Sequence, residues 1–307
     1  MTDARRIETV PALPRRRREG HKGDYGRVLV VGGSRGMIGA PGLAANAALR
    51  GGAGLVQLAV PEPIQLAVAG LAACATSIPL ACKADGSLAH KAIAQFNEAA
   101  QASDLVVVGP GMGIGAAQQE LVRSALGCGK PLVLDADGLT TLAKIADWPA
   151  LRTGPLVLTP HPGEFATLTG RAVRDVQADR EGLAAWWARA WCAGAAGEVV
   201  CVLKGAGTVV SDGDRLFVNP TGNPGMATGG AGDVLTGLTA ALWCQLNDPF
   251  EAACLAVYCH GRAGDLGAEV LGEVSLTASD LIHYLPEAIR ERTGLPASAE
   301  PQDSRRP

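Results

Sequence analysis

The chain has 307 residues, of which 48% are hydrophobic and 19% charged, with a formal net charge of −3. This composition is that of a soluble globular protein with a sizeable core, and the absence of a basic field argues against a nucleic-acid partner. The apolar runs are too short to span a bilayer, and no apolar stretch follows the basic run as it would in a secretory signal.

The cysteines indicate a cytoplasmic location. All eight are scattered, without a Cys-x-x-Cys pair and without a histidine at zinc-ligand spacing, which argues against a structural zinc site. Most lie in apolar stretches, where cysteine acts as a small buried hydrophobe. This usage fits a reducing compartment.

The first 23 residues are predicted to form a polar, flexible tail. They include the run Arg15, Arg16, Arg17 and Arg18. No aromatic residue or further basic cluster accompanies it, so a solvated tail is favoured over a polyanion-binding patch. Its role stays open at this point.

From residue 24 to 292 apolar runs alternate with helix-like segments, which predicts one domain. The runs are continuous rather than alternating, as in strands covered on both faces. Strands that alternate with helices indicate an α/β fold with a mostly parallel sheet. Residues 293–307 are rich in Pro, Ser and charge and are predicted to be a disordered tail. The predicted strands are residues 27–31, 55–60, 105–108, 131–134, 156–158 and 199–203, then a hairpin of 208–211 and 215–218; the predicted helices begin at Pro41 and end before Gly51, then span 116–126, 173–193, 234–245, 249–268 and 277–289.

Polar or glycine-rich turns follow five of the predicted strands. Ligands of open α/β sheets bind beyond the carboxyl ends of the strands. Because all five turns fall at such ends, we expect them to share one cleft. They are residues 32–34, 109–113, 135–138, 159–164 and 204–208.

The segment NPTGNPGMATGGAGDVLTG, residues 219–237, is the most informative part of the chain. It holds six glycines and one acid, Asp233, and runs into a predicted helix. The N–H groups of Gly230, Ala231 and Gly232 would lie at the helix N-terminus, where unpaired donors and the helix dipole form an anion site. An acid there can take a proton from a hydroxyl beside a bound phosphate. A surface loop with an N-cap aspartate is the alternative, and so many glycines disfavour it.

Six motifs together resemble the ADP/ATP-dependent NAD(P)H-hydrate dehydratases of the ribokinase-like superfamily. The resemblance covers residues 23–289. It implies a three-layer α/β/α fold, and the stand-alone form, because there is no room for the epimerase domain that precedes many relatives. The motifs are GDYGRVLVVGGSRGMIGAPGLAANAALRGGAGLV, VVVGPGMG, PLVLDADGL with LTPHPGE, LKGAGT, and NPTGNPGMATGGAGDVLTG.

The resemblance also implies a reaction. The family restores (6S)-hydrated NADH and NADPH, in which water has added to the nicotinamide ring. Hydroxide leaves poorly, so the ring hydroxyl is phosphorylated first and then expelled as phosphate, chemistry that depends on positioning and charge. The implied co-substrate is ADP with Mg²⁺, although the residues do not decide between ADP and ATP or between the two hydrates. The family also implies a homo-oligomer, in particular a tetramer, for which the Gly- and Ala-rich helix after Pro41 offers an interface.

The resemblance assigns roles to residues of two groups. Asp233 would be the general base and contact the hydrated substrate, as would His161, Ala40 and Gly113. The nucleotide would be bound by Gly232 and the KGAGT turn, in which lysine offers a charge to phosphates and glycine a close backbone approach; an exposed hairpin entry is the alternative for this turn. The turn consists of Lys204, Gly205, Ala206, Gly207 and Thr208.

Acidic residues near these turns are weaker candidates for a metal site. Asp135, Asp137 and Glu164 could hold Mg²⁺ through water, and Asn223 could assist with phosphate or metal. Helix capping is an equally good interpretation of the carboxylates.

Two other functions remain open from the sequence. A small-molecule kinase on the same scaffold would share Asp233 and the anion site. A non-catalytic nucleotide-binding regulator is disfavoured because Asp233 is intact.

Overall fold

The computed structural model describes residues 4–84, 86–192 and 197–294. These residues form one ten-stranded sheet in the order β1-β10-β9-β8-β7-β6-β5-β2-β3-β4. Neighbouring strands are parallel except β9, which is antiparallel to β8 and to β10. The mostly parallel sheet and the hairpin predicted from sequence are confirmed. The strands are β1 (Arg5–Arg6), β2 (Arg27–Val31), β3 (Leu55–Pro61), β4 (Thr76–Leu80), β5 (Leu105–Val108), β6 (Leu132–Leu134), β7 (Leu156–Leu158), β8 (Val199–Leu203), β9 (Val209–Ser211) and β10 (Arg215–Val218).

Helices cover both faces of the sheet. Side chains of β2 alternate between two apolar cores, with Val28 and Val30 in one and Leu29 and Val31 in the other. The first core also contains residues of α1, α10, α11 and α12, and the second contains residues of α3 to α9. The three-layer α/β/α arrangement therefore follows from strands that are apolar on both faces. The helices are α1 (Gly39–Arg50), α2 (Gln65–Leu71), α3 (Lys91–Gln101), α4 (Ala116–Leu126), α5 (Asp137–Leu142), α6 (Trp148–Leu151), α7 (Pro162–Thr169), α8 (Val173–Ala178), α9 (Arg180–Cys192), α10 (Ala231–Leu246), α11 (Pro249–Leu271) and α12 (Ala278–Arg290).

One face of helix α1 is buried against helix α10. A Cβ added to Gly237 of α10 would overlap the carbonyl oxygen of Ala44 in α1, so the two helices approach at backbone distance. Ala44, Ala45 and Ala48 are fully buried. The small residues of α1 therefore serve close packing against α10, and a part of this helix in a subunit interface stays a prediction.

The N-terminal segment lies against the domain. Its strand β1 pairs with β10, Val10 and Leu13 are buried, and Leu13 forms a bridge with Thr293. Arg16 stacks over the ring of Tyr25 at 3.9 Å. The two apolar side chains explain why this otherwise polar segment packs. Of the predicted C-terminal tail, residues 295–307 lie outside the described residues.

The single helix predicted over residues 173–193 is wrong, because Asp179 divides it into α8 and α9. Asp179 has φ −144°, and its carboxylate accepts a hydrogen bond of 2.9 Å from the N–H of Gly182. An aspartate that caps a new helix interrupts the preceding one. Residue 193 itself lies outside the described residues.

The tryptophans of α9 divide between core and surface. Trp191 is buried and contacts Trp148 and Phe165, whereas Trp186 is 55% exposed. No helix of the described ranges is both long and apolar enough to cross a membrane.

Candidate active site

The site is centred on the first turn of α10. The helix follows Gly230, whose φ of +92° is readily adopted only by glycine. Asp233 lies in this turn, where backbone N–H groups lack an intrahelical partner. One predicted donor is already engaged, because the N–H of Ala231 points to the carbonyl of Thr228 at 3.4 Å. The anion site is therefore offered chiefly by the residues that follow Ala231.

A buried ion pair lies beside this turn. Lys204 Nζ donates to Asp135 Oδ1 at 2.8 Å, and Thr236 Oγ1 donates to Asp135 Oδ2 at 2.7 Å. Burial alone would raise the pKa of Asp135, but Lys204 and the hydrogen bonds outweigh it and hold the pKa below its ordinary value. Burial conversely lowers the pKa of Lys204, and Asp135 and Glu164 overcome this, so the lysine stays charged. The pair thus fixes a cation close to the anion site.

Gly232, in the first turn of α10, lies close to the ammonium group of Lys204. A Cβ placed on Gly232 would lie 3.4 Å from Lys204 Nζ and 3.9 Å from Asp135 Oδ2. The absence of a side chain therefore leaves the backbone of Gly232 open towards Lys204. Two of the predicted nucleotide contacts, Gly232 and Lys204, are brought together.

The environment of Asp233 raises the pKa of its carboxyl group to near neutral pH. Burial raises its pKa, the negative charge of Asp135 adds to this, and Lys204 opposes it; Asp137 and Glu164 contribute further. The resulting pKa is about 7. A general base is most effective when its pKa lies near the working pH.

Two predicted substrate contacts, Gly113 and Ala40, lie in segments that contact one another. Gly113 donates its N–H to Asp137 at 2.8 Å. Ala40, in the first turn of α1, lies beside Gly111, because a Cβ added there would be 3.2 Å from the Ala40 Cβ. The turns after β2, β5 and β6 therefore meet, as expected for a shared cleft.

His161 caps helix α7. Its Nδ1 accepts from the N–H groups of Gly163 at 3.0 Å and Glu164 at 3.2 Å, while Glu164 accepts the N–H of His161 at 2.7 Å. Nδ1 is therefore the unprotonated nitrogen, and Nε2 carries the hydrogen. The side chain is 56% exposed, so this N–H can still reach a ligand.

The metal candidates are engaged in other contacts. Asp135 binds Lys204 and Thr236, Glu164 caps α7, and Asn223 accepts from the N–H of Gly225 and donates to Asp265. Within the described ranges no group of three or more His, Cys, Asp or Glu side chains is placed to hold a metal ion. Capping is thus the observed role of Glu164.

Arg180, which sequence reasoning missed, holds the KGAGT turn by hydrogen bonds to backbone carbonyls. Arg180 donates to the carbonyl of Ala206 at 2.6 Å and of Leu203 at 2.8 Å. The turn uses φ +144° at Gly205 and +60° at Gly207. A lone arginine at a helix start carries no sequence signal for such a contact.

A cavity of about 930 Å³ lies against this turn. It is lined by Arg180, Trp186, Ala206 and Gly207 among others, and Asp233 does not line it. The candidate site is centred instead on Asp233, because the buried ion pair and the N-terminus of α10 meet there.

His260 of α11 is a second residue that the sequence did not single out. Its Nε2 lies 2.9 Å from the carbonyl oxygen of Ala231. Burial lowers its pKa to about 4, and the charge of Lys204 acts in the same direction. It lies within a long helix and outside any motif.

Comparison with known proteins gives a consistent result. A protein-family model described as NAD(P)H-hydrate dehydratase matches residues 28–287. A bifunctional NAD(P)H-hydrate repair enzyme from Moorella thermoacetica is 45% identical over 280 residues, which are 91% of this chain and 52% of that protein. The one from Escherichia coli is 37% identical over 283 residues, which are 90% and 50%. The chain thus spans about half the length of the curated relatives it matches.

Comparison with solved structures finds similar folds. An ADP/ATP-dependent NAD(P)H-hydrate dehydratase from Bacillus subtilis, co-crystallised with ATP and Mg²⁺, has a TM-score of 0.77 and 33% identity, covering 93% of this chain and 99% of that one. A ribokinase-like superfamily protein from Enterococcus faecalis has a TM-score of 0.77 at 23% identity, covering 95% and 98%. The latter likeness concerns the fold alone.

Proposed function

The chain belongs to the NAD(P)H-hydrate dehydratase family of hydro-lyases, and from this premise we propose that it converts (6S)-hydrated NADH and NADPH back to NADH and NADPH with ADP as phosphoryl donor. The observation that carries the proposal is Asp233, a carboxylate with a pKa of about 7 in the first turn of α10, beside the buried cation Lys204.

The first step is phosphoryl transfer. Asp233 takes the proton of the ring hydroxyl, whose oxygen forms a bond to the terminal phosphorus of the nucleotide as the bond to the departing nucleotide breaks. With ADP the departing nucleotide is AMP. Charge on the transferring group is met by the N–H groups of the α10 N-terminus and by Lys204.

The second step is elimination. The ring nitrogen supplies the electron pair that expels phosphate, the C–O bond breaks, and the neighbouring ring carbon loses a proton, which the departing phosphate takes up. The products are the reduced nicotinamide, AMP and phosphate. Besides the base Asp233, the chain needs to supply only positioning and charge for these steps.

The nucleotide is assigned to the KGAGT turn and Gly232. Support comes from the two glycines with positive φ in the turn, which bring the backbone close to a ligand, and from the closeness of Gly232 to Lys204. The choice of ADP over ATP rests on the family resemblance, and the Bacillus subtilis relative is described as dependent on either.

Mg²⁺ fits this site as an ion that arrives with the nucleotide. Mg²⁺ keeps much of its water and takes few protein ligands. No preformed ligand cluster exists in the described part of the chain. Asp135 is held by Lys204 at 2.8 Å, Glu164 lies farther from Lys204 Nζ at 3.7 Å, and Asp137 accepts the N–H of Gly113. Asp137 and Glu164 would therefore hold the ion, which would supply charge neutralisation for the phosphates.

Association into a homotetramer in the cytoplasm is part of the proposal. The exposed apolar side chains Leu66 and Leu71 of α2 support an interface. Light scattering of the purified protein tests the tetramer.

The function is tested by product analysis. The purified protein is incubated with hydrated NADH and either ADP or ATP. Recovery of NADH absorbance together with AMP and free phosphate is expected with ADP. A stable phosphorylated product, detected by phosphorus NMR, would instead identify a kinase, and nucleotide binding without turnover a regulator.

A further inference from the structure

His260 contacts the N-terminus of α10, where the proposed anion site lies. It lies in α11, and its Nε2 is 2.9 Å from the carbonyl oxygen of Ala231, the first residue of α10. A carbonyl oxygen can only accept, so Nε2 must carry the hydrogen. The burial and the nearby Lys204 that hold the pKa at about 4 keep the ring neutral at pH 7. Its single N–H is therefore committed to Ala231.

The peptide group between Ala231 and Gly232 joins this contact to the site. A trans peptide is planar, and its C=O and N–H point in opposite directions. A restraint on the Ala231 carbonyl therefore fixes the direction of the Gly232 N–H. That N–H belongs to the residue whose Cβ position lies 3.4 Å from Lys204 Nζ.

The local sequence provides little restraint of its own. Ala231 is flanked by Gly230 and Gly232, and glycine leaves the backbone freer than any other residue. The direction of this peptide thus depends on the helix that follows and on the contact from α11.

We propose that His260 is a positioning residue, which holds the Ala231 carbonyl and so aims the Gly232 N–H at the transferring phosphoryl group. This inference rests on the proposed function. In the assignments above, α11 brings no side chain into the cleft. The inference gives this helix a part in phosphoryl transfer.

The test compares three variants. His260→Phe keeps a ring but removes the donor, and His260→Gln keeps an N–H at a similar reach. His283→Phe is the matched control, because His283 is an exposed histidine of α12. Loss of a whole oxyanion donor commonly costs about 10²–10³ in rate, so a misdirected donor is expected to cost about tenfold to hundredfold in kcat.

The pattern distinguishes positioning from folding. His260→Phe should lower kcat more than it raises the KM for nucleotide, because the donor acts most strongly in the transition state. His260→Gln should recover most of the rate, and His283→Phe should equal wild type. A purely structural role would lower Tm without rescue by Gln.

A second readout does not need turnover. The amide signal of Gly232 is followed by ¹⁵N NMR during titration with ATP and Mg²⁺. A large shift in wild type that is reduced in His260→Phe and restored in His260→Gln supports the inference even if wild type proves inactive on the hydrate. Equal kcat in wild type and His260→Phe, or equal Gly232 shifts, overturns it.

Discussion

Lys204 Nζ lies 2.8 Å from Asp135 Oδ1, and this pair joins the turn after β8 to the turn after β6, across the intervening strand β7. The pair is buried, and Thr236 of α10 completes it. Two sheet turns and helix α10 are thereby held together at one point. The ion pair explains how the fold keeps Lys204 charged beside the proposed anion site.

Removing the lysine should harm both stability and activity. Lys204→Met leaves Asp135 buried without its cation, which typically costs about 3–5 kcal/mol. We expect a matching loss in the free energy of unfolding, measured with denaturant, together with loss of turnover. The double variant Lys204→Met/Asp135→Asn removes both charges, so it should regain stability but not activity. An unchanged unfolding free energy in Lys204→Met would contradict the pair's structural role.

The pH profile should report Asp233. The active form is the carboxylate, and the pKa is raised to about 7, so kcat/KM should fall about tenfold per pH unit on the acid side of that value. Asp137→Asn removes a negative charge but keeps an acceptor for the Gly113 N–H, so the fall should move to lower pH. A rate that stays flat from about pH 5 to 8 would speak against the assignment.

The same raised pKa predicts that Asp233 destabilises the fold at neutral pH. A folded pKa of about 7 lies above the reference value of 3.8, so the folded state binds the proton more tightly. The stabilisation of the fold by this bound proton is present at low pH and is lost as pH rises through about 7. Three pKa units correspond to at most about 4 kcal/mol. Asp233→Asn should therefore raise Tm at pH 8 and leave it unchanged near pH 4. Scanning calorimetry at both pH values measures this, and a Tm that does not rise at pH 8 would contradict the prediction.

Gly232 and Gly237 provide a matched pair of helix glycines. Gly232→Ala places a methyl group 3.4 Å from Lys204 Nζ, so nucleotide binding and turnover should fall about tenfold or more, as expected when an oxyanion donor is obstructed. Stability should hold, because alanine favours the helix by about 0.5–1 kcal/mol over glycine. Gly237→Ala clashes with the backbone of α1 and should lower Tm instead. Equal Tm losses in both would show that Gly232 has no special role in the site.

Much of the fold could be predicted because its strands are apolar on both faces. The predictions for β2, β5, β7 and β8 match the observed bounds. Strand β4 escaped notice because Pro79 interrupts its pattern, and the structure places it at the sheet edge, where proline is tolerated.

The candidate site likewise contains residues that the sequence predicts and residues that it does not. Residues in glycine-rich turns, such as Asp233 and Lys204, could be predicted, because turns at strand ends converge whatever the rest of the chain does. Arg180 and His260 could not, since each contacts backbone carbonyls far along the chain and each lies in an ordinary helical sequence. Contacts of this kind depend on how helices pack, and no local pattern encodes them.

The central claim is that Asp233 deprotonates the ring hydroxyl of the hydrate. The most direct measurement compares wild type with Asp233→Asn for recovery of NADH from its hydrate in the presence of ADP, with nucleotide affinity measured in parallel by calorimetry. A loss of about 10²–10⁴ in turnover with nucleotide affinity retained is predicted. Undiminished turnover in Asp233→Asn would contradict the account.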